Sequence, residues 1–114
     1  MDRADLDLDA LKKALLDERT ALLAADDATA EERAPVTLDQ QSVGRLSRMD
    51  ALQVQAMARA QGARRAQRLK LIEAALARME NGDYGYCAEC DEEIPAKRLA
   101  VDPTFSRCVE CAGG

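Results

Sequence analysis

The sequence predicts a mainly α-helical protein, a long antiparallel helical hairpin (coiled coil) followed by a small cysteine-bearing module. Three observations predict it. The 47% apolar share of the 114 residues is carried by alanine and leucine, with Tyr84, Tyr86 and Phe105 as the only aromatics. That composition favours thin helix-on-helix packing over a thick mixed core. Leucines recur at helical spacing near the start, and between Thr37 and Pro95 no proline interrupts the chain, which suits a long helix. All four cysteines fall within the last 28 residues. The expected division is a hairpin over 1–81, with helices at about 5–25 and 37–81 and a turn at about 26–36, then the cysteine module over 82–114.

The first helix rests on Leu8, Leu11, Leu15 and Leu22, with Leu16 and Leu23 widening the stripe. Asp5, Asp7 and Asp9 stand near its start, where they complement the helix dipole. Residues 26–36 lose the stripe and include Pro35, which reads as a turn. Thr37 and Gln40 have capping-box spacing, with Val36 ahead as a staple. The second stripe reads Val43, Leu46 and Met57, then Leu69, Ile72, Leu76 and Met79, with alanines between, and Asn81-Gly82 supplies the stop. With the turn at 26–36, the first helix would cover only the first half of the second. Leu69 to Met79 then needs the cysteine module as its partner.

Charge divides the chain. Residues 1–39 carry −6, residues 40–81 carry +5 and residues 82–114 carry −4, for a net −5. The acidic and basic segments are expected to pair with each other. A net negative charge argues against holding duplex DNA by phosphate neutralisation. The absence of histidine removes imidazole acid–base and triad chemistry, so an enzyme is not expected. No apolar run approaches 18 residues, and the acidic start Met1-Asp2-Arg3-Ala4-Asp5 lacks a basic, apolar leader. The expectation is a cytoplasmic protein with no membrane span.

Cys87, Cys90, Cys108 and Cys111 follow the pattern C-x₂-C-x₁₇-C-x₂-C, that of a Cys₄ zinc site. A two-residue spacer lets one tight knuckle aim two sulfurs at one ion, and two knuckles complete a tetrahedron. Four protein ligands leave no position for water, so one structural Zn²⁺ is expected. Its net charge of about −2 with four thiolates calls for nearby cations, for which Lys97, Arg98 and Arg107 are available. Two disulfides would be unusual in a cytosolic chain, a thioredoxin-type pair needs a βαβ context, and a redox-labile zinc stays open. Between the knuckles, Ile94-Pro95 and Leu99-Ala100-Val101 read as short extended pieces and Asp102-Pro103-Thr104 as a turn. The three aromatics are expected to pack on the end of the second helix.

Gly85-Tyr86-Cys87-Ala88-Glu89-Cys90, Glu93-Ile94-Pro95, Arg98-Leu99 and Asp102-Pro103-Thr104, closing on Cys108-Val109-Glu110-Cys111, resemble the C-terminal zinc finger of the DksA/TraR family. The resemblance covers about residues 70–111, and the hairpin before it agrees in architecture. It implies a transcription regulator that enters the secondary channel of bacterial RNA polymerase and does not bind DNA, with acidic residues at the coiled-coil tip near the catalytic centre.

This chain departs from the family pattern in three places. The family's Asp-x-x-Asp-x-Ala tip motif is absent. Periodicity puts the turn near 26–38, offering Asp26, Asp27, Glu31, Glu32 and Asp39, whereas the family spacing counted back from Cys87 lands on Gly44 to Ala51, where Asp50-Ala51 is the only echo. The fold expectation follows periodicity, and Asp39, Arg45, Arg48 and Asp50 are the candidate partner contacts. Where some members hold guanosine tetraphosphate with basic residues, this chain has Leu71, Asp102 and Ala112. Neutral or acidic side chains cannot stabilise a polyphosphate, so dependence on that nucleotide is not expected. After Cys111 stand only Ala112-Gly113-Gly114, in place of the family's C-terminal helix. The rival readings are a zinc-stabilised protein–protein adaptor without polymerase activity, a redox sensor that releases zinc, and nucleic-acid binding by Arg59, Arg64, Arg65, Arg68 and Lys70.

Overall fold

The computed structural model describes residues 3–30 and 45–113, with the backbone alone at 45–47. Four helices are described: α1 (Leu8–Ala28), α2 (Arg45–Asn81), α3 (Ala96–Val101) and α4 (Val109–Gly113). The described residues contain no strand, only the isolated antiparallel bridge between Tyr86 and Glu93. Residues 26–28, expected in the turn, belong to α1. The rest of that turn from 31 onward, the Thr37–Gln40 capping box, Val43 and Asp39 lie outside the described residues. No helix among the described residues is long and apolar enough to cross a membrane. Met1–Thr20 with Leu69–Gly114 form one compact unit and Ala21–Arg68 the other.

α1 begins at Leu8 because Asp7 caps it: the Ala10 amide donates to Asp7 Oδ1 at 3.0 Å, satisfying one of the free amides of the first turn. Asp5 is not available to the helix, since Arg3 holds its carboxylate at 2.6 Å. Along α1, Leu8, Leu11, Leu15, Glu18, Leu22 and Ala25 follow at alternating steps of three and four, and none is exposed. Leu16 and Leu23 flank this seam and are exposed. Along α2, Ala51, Gln55, Ala58, Gly62, Arg65, Leu69, Ile72, Leu76 and Met79 keep the same alternation, none of them exposed. Both are coiled-coil seams.

The two units fill their seams differently. In the unit built on Leu69–Gly114, Leu15, Ile72 and Ala75 are fully buried. Arg19 Nε meets Glu73 Oε1 at 2.7 Å, and Lys12, Leu16 and Arg19 share a groove with Leu76, Ala77 and Glu80. The start of α1 therefore covers the last third of α2. This corrects the expectation that the first helix reaches only the first half, which followed from placing the turn inside what is helix at 26–28.

In the unit Ala21–Arg68 the seam is small and polar. Gln55 and Ala58 are buried, and Arg65 reaches across to α1, with Nε 2.6 Å from Asp26 Oδ1 and Nη2 2.8 Å from Thr29 Oγ1. Met57, expected in the stripe, is 59% exposed. It falls between the seam positions Gln55 and Ala58, so geometry overrides its hydrophobicity.

α2 stops where the Asn81-Gly82 pair predicts. Gly82 has φ +81°, and the Asp83 and Tyr84 amides both donate to the Arg78 carbonyl, at 2.9 and 3.2 Å. The first is the six-to-one bond of a Schellman cap. Tyr84 is 3% exposed; its hydroxyl donates to the Pro103 carbonyl at 2.7 Å, and Arg78 Nη2 donates to the Thr104 carbonyl at 3.3 Å. The 103–104 turn is thus fastened to the end of α2, with Asp102 Oδ1 accepting from the Thr104 amide and hydroxyl. Leu99–Val101, expected to be extended, are helical. Pro95 precedes the run with φ −55° and ψ 138°, its carbonyl accepts from the Arg98 and Leu99 amides, and Ala96 to Ala100 are mostly good helix formers.

Two tests follow from this packing. Arg65→Gln removes the cation that faces the part-buried Asp26 carboxylate. It should lower unfolding free energy by about 1–3 kcal/mol, seen as a drop of several degrees in Tm, while Lys13→Gln at the exposed Lys13–Asp17 pair leaves Tm unchanged. Burial pushes the Tyr84 phenol up to about 12, so the folded state favours the neutral form. Its contribution is whole below the ordinary tyrosine value near 10 and is lost as pH rises through about 12. Urea titrations between pH 9 and 12 should show that loss in the native chain and not in Tyr84→Phe.

Candidate metal centre

The first knuckle is a short hairpin-like loop. The Ile94 amide donates to the Gly85 carbonyl at 2.8 Å, the Cys87 amide to the Glu92 carbonyl at 2.7 Å and the Asp91 amide to the Cys87 carbonyl at 3.0 Å. Asp91 closes the turn with φ +62°, a left-handed conformation that aspartate tolerates better than most residues. The second knuckle is the start of α4: Cys108 precedes the helix, its carbonyl accepts from the Ala112 amide at 2.9 Å, and Cys111 lies within it. The Ala88 amide donates to the Ser106 carbonyl at 2.7 Å, which binds the two knuckles side by side.

The result brings Cys87, Cys90, Cys108 and Cys111 together, with all four Sγ atoms within 4.8 Å of one another. Cys90 Sγ and Cys108 Sγ are 3.7 Å apart. Sulfurs at the corners of a tetrahedron of about 2.3 Å Zn–S bonds are about 3.8 Å apart, whereas a disulfide needs about 2.05 Å. All four cysteines are free. Backbone N–H groups, first that of Cys108 and then that of Cys90, point at the Cys87 sulfur and pull its thiol down to about 6. The crowd of sulfurs, Cys108 first, pushes the Cys111 thiol well above its ordinary value. Four thiols in this volume cannot all ionise against one another unless a cation shares the space. The donor set fits one structural Zn²⁺, with no ligand position left for water.

Two of the cations expected to offset the thiolate charge, Arg98 and Arg107, are engaged elsewhere. Arg107 Nη2 is 3.2 Å from Glu89 Oε1. The Arg98 guanidinium lies 4.0 Å above the Phe105 ring, with Nε donating to the Arg107 carbonyl at 3.0 Å. Lys97 is exposed. The backbone amides instead carry the local positive potential toward sulfur.

Of the candidate partner contacts, Arg48 and Asp50 stand in the first two turns of α2, Arg48 half-buried and Asp50 exposed. Arg45 is the first residue of α2 with its side chain outside the description, and Asp39 lies outside the described residues. Leu71, Asp102 and Ala112, far apart in sequence, line one cavity of about 200 Å³ together with Arg98, Phe105 and Arg107. Sequence reading missed Arg3, which is 6% exposed and donates to the Gly85 carbonyl at 2.8 Å. Its one visible signal was a lone base in an acidic start.

A model of the prokaryotic dksA/traR C4-type zinc finger matches residues 82–114. The RNA polymerase-binding transcription factor DksA of Haemophilus influenzae is 44% identical over 43 residues, covering 38% of this chain and 30% of that protein. The protein of the same name from Escherichia coli K12 is 42% identical over 43 residues, covering 38% and 28%. The matched part is thus less than a third of these curated relatives. The structure of transcription factor DksA2 from Pseudomonas aeruginosa superposes with a TM-score of 0.76 and 25% identity, over 99% of this chain and 88% of that one.

Metal analysis of the purified protein should find one zinc per chain, and Cys108→Ser should abolish it. Chelation should speed amide exchange across residues 85–112. Most of the far-UV helical signal should survive chelation, because α1 and α2 hold 21 and 37 residues against 6 and 5 in α3 and α4.

Proposed function

We propose that the chain, whose residues 82–114 match the dksA/traR C4-type zinc finger, is a divergent member of the DksA/TraR family and regulates transcription by binding bacterial RNA polymerase through the secondary channel rather than by binding DNA. The helical hairpin is the inserting arm and the zinc finger its brace. The observation that carries this reading is the agreement in fold with a DksA2 structure over nearly the whole chain. The protein acts in the cytoplasm as a regulator and not as an enzyme.

Two features of the arm support the reading. Ala51, Gln55, Ala58 and Gly62, none of them exposed, form an α2 face with little apolar bulk, which suits entry into a channel. Met49, Leu52, Val54 and Met57 are more than half exposed on α2 and offer apolar side chains to a partner. Asp39, Arg45, Arg48 and Asp50 make the polar contacts with polymerase. Guanosine tetraphosphate does not govern the interaction: Leu71, Asp102 and Ala112 bring no positive charge to their shared cavity, and its two arginines are engaged by Phe105 and Glu89.

The zinc-loaded protein should bind purified core RNA polymerase and compete with a known secondary-channel factor. Binding should be unchanged by guanosine tetraphosphate. The double variant Asp39→Asn, Asp50→Asn should lose the effect on transcription with Tm and zinc content intact. Failure to compete would overturn the polymerase reading and leave a zinc-stabilised adaptor that keeps the fold alone.

A further inference from the structure

Arg3 is a buried arginine whose side chain is 3% exposed. Taking a guanidinium out of water is costly unless its donors find partners, and here they do. Nε and Nη2 grip both oxygens of Asp5, at 3.2 and 2.6 Å. Nη1 donates to two backbone carbonyls, that of Gly85 at 2.8 Å and that of Ile94. Nη2 also stands 3.7 Å from Glu93 Oε2.

The two carbonyls are the informative part. Gly85 and Ile94 are the opposite legs of the loop that carries Cys87 and Cys90, and they are already joined by the Ile94 amide donating to the Gly85 carbonyl. One nitrogen of Arg3 therefore spans the open end of the first knuckle. The fit is close: a Cβ at Gly85, whose φ is +92°, would sit 2.9 Å from Arg3 Cδ and 3.0 Å from Leu6 Cδ1. If the loop opens, its two carbonyls separate and the buried guanidinium loses paired acceptors. If the N-terminal segment leaves, the loop loses the group that holds its legs together.

We propose that Arg3 is a positioning residue for the zinc centre, a clasp that holds the first knuckle in its metal-binding shape, and that zinc loading and docking of residues 3–8 are coupled through it. Coupling of this kind is reciprocal: Arg3 lengthens zinc retention, and zinc keeps the N-terminal segment docked. The clasp depends on the planar fork of arginine. A lysine brings the same charge but cannot span two carbonyls and both oxygens of a carboxylate at once.

The test uses the full zinc-loaded chain and the rate of zinc transfer to a chromophoric chelator. Arg3→Ala and Arg3→Lys should both release zinc about tenfold faster or more, the usual scale for a group that orients metal ligands from behind. Arg65→Gln, which weakens the other unit, should release it at the native rate. Amide exchange gives the reverse direction: residues 3–8 should be protected with zinc, lose protection on chelation, and be unprotected in Arg3→Ala even with zinc bound. Native release by Arg3→Ala would overturn the proposal. Native release by Arg3→Lys would show that charge alone suffices and overturn the fork. Equal acceleration in Arg65→Gln would reduce the effect to general stability and overturn the positioning role.

Discussion

Four sulfurs within 4.8 Å of each other make a constraint that apolar burial could not impose here. From Gly82 onward the fully buried side chains are essentially Tyr84, Cys87, Ile94 and Leu99, too few to offset the conformational entropy of some thirty residues. Beside one another the sulfurs favour the neutral thiol at Cys111. A dication shared by four thiolates would favour the closed arrangement, the general way in which metal binding is linked to folding. The 103–104 turn against Tyr84 and the stacking of Arg98 on Phe105 all presuppose that closure.

What was legible in the sequence was whatever a short local pattern could encode. Two pairs of cysteines at a two-residue spacing specify two knuckles, and Asn81-Gly82 specifies a left-handed stop. Leu8, Leu11 and Leu15 specify one helix face. Leu99–Val101 are helical rather than extended because the Pro95 carbonyl just ahead of them opens a short helix. The seam of α2 was half visible. From Leu69 to Met79 it is apolar and declares itself, whereas Gln55, Gly62 and Arg65 occupy seam positions without apolar character. Met57 drew the eye because it is apolar, but it sits off the seam by geometry. Arg3 was beyond any local pattern, since its partners lie 82 and 91 positions away.

The charge map reads differently once positions are known. Of two cross-helix pairs, Arg65 with Asp26 joins the basic segment to the acidic one, whereas Arg19 with Glu73 sets a base of the acidic segment against an acid of the basic one. The pairs differ in kind. Arg19 with Glu73 joins two half-exposed side chains, which contributes little, while Arg65 and Asp26 are mostly shielded and replace apolar contact in a seam that has little of it.

The small, polar seam between Ala51 and Arg65 has an evolutionary consequence. A helix whose inward positions are alanine, glutamine and glycine asks little of its outward ones, since few of them are needed to complete a core. Its surface can drift, or be reselected for a new contact, at small cost to folding. The cysteine module has no such latitude, because each knuckle residue answers to a fixed coordination sphere. The family model accordingly matches residues 82–114, while the likeness to the DksA2 structure, at 25% identity, extends over 99% of the chain.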